Sequence, residues 1–120
     1  MVTSYDIWQV VTNAIQETKI VMLSYRKQNG EIVSHQVVPI DILVRMRTDG
    51  RRVEYLFGHR LDFPFRERGG RTERSFLLEK ILAIRATEHR FHPTEYVDLT
   101  STQPRWFIPR KWAEQIKKVA

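Results

Sequence analysis

At 120 residues and 14.3 kDa the chain has the length of one domain with a single core, short of the usual size for two. Apolar residues at 42% and charged residues at 28% exclude the profile of a disordered chain, and the apolar runs fall far short of the about 20 residues that span a bilayer. The absence of cysteine excludes a disulfide framework and thiolate chemistry; with a start, Met1 to Asp6, that lacks the basic and apolar regions of a signal peptide, the expectation is a cytoplasmic protein with no membrane partner.

The formal charge is +6, and nine arginines against five acids lie between Arg45 and Arg74. Arginine outnumbers lysine there, and its planar fork matches phosphate or carboxylate with two parallel hydrogen bonds. That bias admits two readings, an anionic partner or a solvated basic surface on hairpin loops.

Residues 4–18 carry Ile7, Val10, Val11, Ala14 and Ile15 at helical spacing, with Ser4 as the expected N-cap and Asp6 in the first turn. The polar face lacks the Lys/Arg density of a membrane anchor, so the stripe is expected to pack on a sheet. From Ile20 the pattern becomes β-type. Gln28-Asn29-Gly30 marks a hairpin turn, Pro39 a bend or sheet edge before Ile40 to Met46, and Thr48-Asp49-Gly50 a second turn leading to a strand over Val53 to Arg60. Residues 61–70 read as an arginine-rich loop. Residues 71–78 and 80–86 read as two extended segments with a bend near Glu79. The tail from His92 is irregular, with Pro109 at the first turn of a closing helix over 110–119. These elements predict a single α+β, mainly β domain over 1–120: helix 4–18, β-structure 20–91, and a tail and helix over 92–120. The β-structure is expected to be a small, strongly bent antiparallel sheet or a barrel.

Strand alternation singles out polar residues that continue apolar faces. Tyr25 shares parity with Val21 and Leu23, and His35 with Val33 and Val37. Tyr55 and His59 share it with Val53 and Phe57, and Arg74 and Lys80 with Phe76 and Leu78. A cation on a buried face needs a partner, water or an anionic ligand. Either these side chains converge on one basic, aromatic mouth, or each is a strand-end residue reaching out to solvent over a buried stem.

The run Ile20 to Tyr25, then Gly30-Glu31, Val37-Val38-Pro39, Leu43, Glu54-Tyr55-Leu56-Phe57-Gly58-His59, Arg74-Ser75-Phe76-Leu77-Leu78-Glu79-Lys80-Ile81, Phe91 and Pro93 resembles the WYL domain in order and spacing, over residues 12 to 97. Tyr55-Leu56 keeps two positions of the name motif and Glu54 replaces its tryptophan. The closing pattern Arg-x-Phe-x-Leu-(Asp/Glu)-(Arg/Lys)-Ile is kept from Arg74 to Ile81. The resemblance implies an Sm-like or SH3-like barrel behind a leading helix, used as a ligand-sensing module in bacterial regulators. It implies an anionic ligand, single-stranded nucleic acid or nucleotide, held by Tyr25, Tyr55, His59, Arg74 and Lys80, with His35 where the family often has arginine. Arg60, at the strand end, is expected to form with Arg66, Arg68 and Arg71 a secondary basic loop able to extend the contact. Regulators of this kind usually carry a helix-turn-helix ahead of the barrel, which a single helix over 4–18 cannot supply, so a homodimer or a separate DNA-binding partner is expected.

An enzyme has little support. There is no glycine-rich phosphate loop, nucleophile elbow or carboxylate pair, and Asp41 and Asp62 suit turn or loop roles better than acid/base work. His89 and His92 lack a third ligand, so neither a metal nor another cofactor is expected. The remaining alternative is an interaction subunit. Trp106-Phe107-Ile108, Trp112 and Trp8 either complete the core or form an interface.

Overall fold

The computed structural model describes residues 2–61, 73–97 and 106–112. Helix α1 spans Ser4–Glu17. Five strands follow: β1 Lys19–Arg26, β2 Ile32–Met46, β3 Arg52–Leu61, β4 Glu73–Leu77 and β5 Ile81–Arg90, with short 3-10 turns at Leu78–Lys80 and Pro93–Glu95. The class is α+β, mainly β. Among the described residues no helix is long and apolar enough to cross a membrane.

Each element has a local cause. Helix α1 begins on Thr3, not Ser4: the Thr3 hydroxyl accepts from the Asp6 amide at 3.1 Å while the Asp6 carboxylate accepts from the Thr3 amide at 3.0 Å. Hydrogen bonding of the Asp6 carboxylate to the Thr3 backbone amide, and to a lesser degree to the Thr3 side chain, lowers the Asp6 pKa. The helix ends on Thr18, whose φ of 56° lies in the left-handed region that a β-branched residue rarely occupies. Thr18 is held there because its carbonyl accepts from the Phe91 amide at 2.9 Å. Ile7, Val11, Ala14 and Ile15 form the buried stripe.

Both hairpin turns use the same chemistry. In each, an Asn or Asp side chain (Asn29, Asp49) accepts from the amide two residues on, and a glycine at φ near +90°, Gly30 or Gly50, completes the turn.

The strand order is β4-β3-β2-β1-β5, all antiparallel. Strand β2 spans the whole sheet: residues 32–37 pair with β1 and residues 36–46 with β3. Pro39 therefore bends the strand without ending it. The register against β3 shifts between Pro39 and Asp41, and such a bulge tolerates a residue with no amide proton. Gly58 faces this bend, and a Cβ there would lie 2.4 Å from the Val38 carbonyl oxygen. Space, not backbone conformation, requires glycine at this point.

Strands β4 and β5 are consecutive in sequence yet occupy opposite edges of the sheet. The 3-10 turn over Leu78–Lys80 makes the sharp bend expected near Glu79. The sheet curls without closing, so the open alternative holds and the barrel does not. Across the seam the amide of Leu77 in the edge strand β4 donates to the Tyr25 hydroxyl of the interior strand β1 at 3.2 Å, a side-chain bond that spans the opening. The core joins the α1 stripe to Val21, Leu23, Val37, Ile42, Leu56 and Phe76.

Beyond Trp112 the expected closing helix lies outside the described residues. The segment before it supplies two core residues. Ile108 and Trp112 are buried, and the Trp112 indole donates to the Ile15 carbonyl at 2.9 Å.

Candidate functional site

In an antiparallel ladder, residues directly opposite one another share a face. Tyr25 faces Val33, Leu23 faces His35 and Val21 faces Val37 across β1 and β2. Val37 in turn faces Arg60, and along β3 the residues alternating with Arg60 are Gly58 and Leu56, which face Arg74 and Phe76 of β4. One face of the curled sheet thus carries Tyr25, His35, Arg60, Arg74 and Phe76, drawn from four strands. The ring contacts agree with the ladder. Phe76 meets Tyr25 edge-on at 5.2 Å between centroids and His35 at a tilt at 5.8 Å. Phe76 is buried, Tyr25 and His35 are half-buried, and Arg74 is exposed, with its guanidinium donating to the Glu73 carbonyl at 2.7 Å. The result is an aromatic floor with two guanidiniums on the same face.

Tyr55 and His59 lie on the other face of β3. They alternate with Leu56, Gly58 and Arg60, and they face Leu77 and Glu73. The parity count over Val53 to His59 grouped each residue correctly with its alternates, but it cannot say which alternate set turns toward the seam. His59 packs against Tyr96 at 5.0 Å and Phe57 at 6.5 Å. Burial lowers its pKa, opposed by the Glu73 carboxylate across the strand pair. Burial, with a smaller push from Glu95, raises the pKa of Tyr96.

Lys80 is half-buried in the 3-10 turn, where strand alternation from Phe76 no longer applies. Arg60 is a strand residue of β3 and not part of a loop, so it joins Arg74 on the seam face. Arg66, Arg68 and Arg71 lie outside the described residues. Among the described residues no three His, Cys, Asp or Glu side chains come together as a metal-binding group.

No family model matches the chain. No curated protein matches it either. Among solved structures it is similar to the proteasome accessory factor B/C (PafBC) of Arthrobacter aurescens, at 16% identity and a TM-score of 0.56. The match covers 93% of this chain and 15% of that one, so this chain spans a small part of that protein's length. At such identity the likeness carries the fold alone. It supports the fold expected from the sequence in coarse terms only.

Sequence reasoning missed a second charged centre. Asp41, expected in a turn or loop role, is 3% exposed in the middle of β2, where its carboxylate accepts from the amides of Phe107 and Ile108, both at 3.1 Å, and from the Arg110 guanidinium at 3.0 Å. Arg110 also donates to the carbonyls of Ile40 and Ile108 and lies over the rings of Trp106 and Trp112, 3.8 and 4.3 Å from their centroids. Burial brings its pKa down to about 10 even though Asp41 favours the cation. Each polar atom here has a protein partner, so the arrangement is a clasp that holds the tail on the sheet. The available signal was an Asp inside an apolar strand and an Arg inside a tryptophan-rich tail, 69 residues apart.

Proposed function

We propose that this chain is a non-enzymatic regulatory module that binds an anionic ligand, nucleic acid or nucleotide in chemistry, on the face carrying Tyr25, His35, Arg60, Arg74 and Phe76. The observation that carries the reading is the meeting of an aromatic cluster with two guanidiniums on one face at an open seam. Guanidiniums suit phosphate, and tyrosine, histidine and phenylalanine rings suit bases, each stack being worth about 1–3 kcal/mol where it forms. The fold likeness to a proteasome accessory factor fits this reading broadly.

The test is a binding titration with single-stranded DNA, RNA and mononucleotides at two salt concentrations. Affinity for the strands is expected to fall as salt rises. Arg74→Ala should weaken binding and reduce the slope of log affinity against log salt by about one, while leaving the melting transition in place. Tyr55→Phe, on the opposite face, should leave binding unchanged. Absence of binding to every ligand at low salt sinks the reading.

The second reading, an interaction subunit that forms a homodimer or joins a DNA-binding partner, has its own observation. Phe107 is 53% exposed beside the buried clasp. Light scattering of the purified chain with Phe107→Ser as the comparison tests it, and a monomer in both cases removes the homodimer form.

A further inference from the structure

A cleft of about 600 Å³ opens on the other side of β4, between the first turn of α1, the start of β3 and the Leu78–Lys80 turn. Its floor is apolar: Ile7, Leu78 and Ile81 are buried in the core, and Val53 and Leu77 complete the surface. Its charged groups are Arg51, Arg52, Glu54 and Glu79. They are not equally engaged. Glu54 is occupied, since it accepts from the Ser4 hydroxyl at 2.7 Å and pairs with Arg52 at 3.3 Å. The Arg51 guanidinium pairs loosely with Asp49, at 3.8 Å, and both arginine side chains are more than 60% exposed. Glu79 is exposed.

We infer that this cleft is a binding site for a small amphipathic carboxylate, with its alkyl or aryl body on the apolar floor and its carboxylate on Arg51. The chemistry follows from the lining. A cleft of this volume suits a small molecule, an apolar floor takes an apolar body, and a few polar groups fix its orientation. Arg51, whose side chain is 64% exposed, supplies a guanidinium for a carboxylate, while Arg52 and Glu54 pair with each other inside the protein. The inference does not rest on the seam face, but the two sites share β4. The Leu77 side chain lines the cleft, while the Leu77 amide holds Tyr25 and the preceding residue, Phe76, carries the ring cluster. A ligand that moves Leu77 therefore bears on the seam.

The experiment uses the full chain and a matched pair of probes, 4-phenylbutyrate and 4-phenylbutylamine, followed by amide chemical shifts. Phenylbutyrate is expected to shift the amides of Val53, Leu77 and Leu78 saturably, and the amine is not. Arg51→Gln, which touches an exposed contact, should weaken phenylbutyrate about fivefold or more, with Glu79→Gln leaving it unchanged or tighter. Three outcomes overturn the inference: no saturable shift at millimolar probe, preference for the amine with loss in Glu79→Gln, or shifts confined to Tyr25, His35 and Arg74. The last would assign the carboxylate to the seam face, and failure of nucleic acid to bind that face would leave the cleft result standing.

Discussion

The clasp at Asp41 and the seam at Tyr25 both bring arginine to a group of aromatic rings, and they handle the charge in opposite ways. At the clasp the Arg110 side chain is 1% exposed, lies against two indoles and bonds a carboxylate and two carbonyls. Its charge is fully used inside the protein. At the seam Arg74 stands exposed beside the Tyr25–Phe76–His35 cluster, and its guanidinium donates to the neighbouring Glu73 carbonyl. The difference separates structure from function. A desolvated cation must be satisfied internally for the fold to persist, whereas a cation at a wet rim costs little to hold and can meet an anion from outside.

Breaking the clasp should have the largest effect. Asp41→Ala leaves the Arg110 guanidinium buried without its carboxylate and strips two amides of their acceptor, and urea unfolding is expected to show a loss of about 3–5 kcal/mol. Replacing both, Asp41→Leu with Arg110→Met, should recover much of that loss, because an apolar pair of similar volume leaves no buried charge. Recovery by the pair would sharpen the distinction, and a mild single mutant would remove it.

Between the two regions stands Gly58, opposite both the Pro39 bend and Arg74. Gly58→Ala drives a methyl to 2.4 Å from the Val38 carbonyl and 2.7 Å from the Val37 side chain. The backbone must shift, and a loss of about 1–3 kcal/mol is expected, with weaker ligand binding at the seam as the bend relaxes. Tyr25→Phe is milder. It removes the acceptor of the Leu77 amide at an edge that water can reach, and about 1 kcal/mol is expected, read by denaturation and by faster exchange of the Leu77 amide proton.

The smallest effect concerns pH. His59 has a pKa below the ordinary 6.5 because burial disfavours its charged form. The unfolded chain therefore binds its proton at higher pH than the folded one, so stability is full above the ordinary value and falls as pH drops from there to the lowered value. Thermal melts from pH 7.5 to 5 should show this decline, and His59→Phe should flatten it. An unchanged slope in His59→Phe would assign the proton elsewhere.

Much of the fold was legible because local rules dominate it. The helix followed from apolar spacing, and both hairpin turns from an Asn or Asp ahead of glycine. The bend near Glu79 followed from the break between two extended runs. The grouping of Arg74 with Phe76, and of His35 with Val37, came from the two-residue period alone and is kept in the ladder. Tyr55 and His59 went astray for a physical reason. The period divides a strand into two sets of residues, but only its neighbours determine which set faces the concave side.

The sequence by itself therefore determined the class of element at each position, the glycine turns and the alternation within each strand, all of which act over a few residues. The tertiary structure alone decided three further things. It chose an open sheet with Tyr25 across the seam, brought Arg60 from a supposed loop onto the Arg74 face, and joined Asp41 to Arg110. Each depends on residues far apart in the chain meeting in one low-dielectric place. The free energy of that meeting comes from burial and partner geometry, which no local pattern encodes.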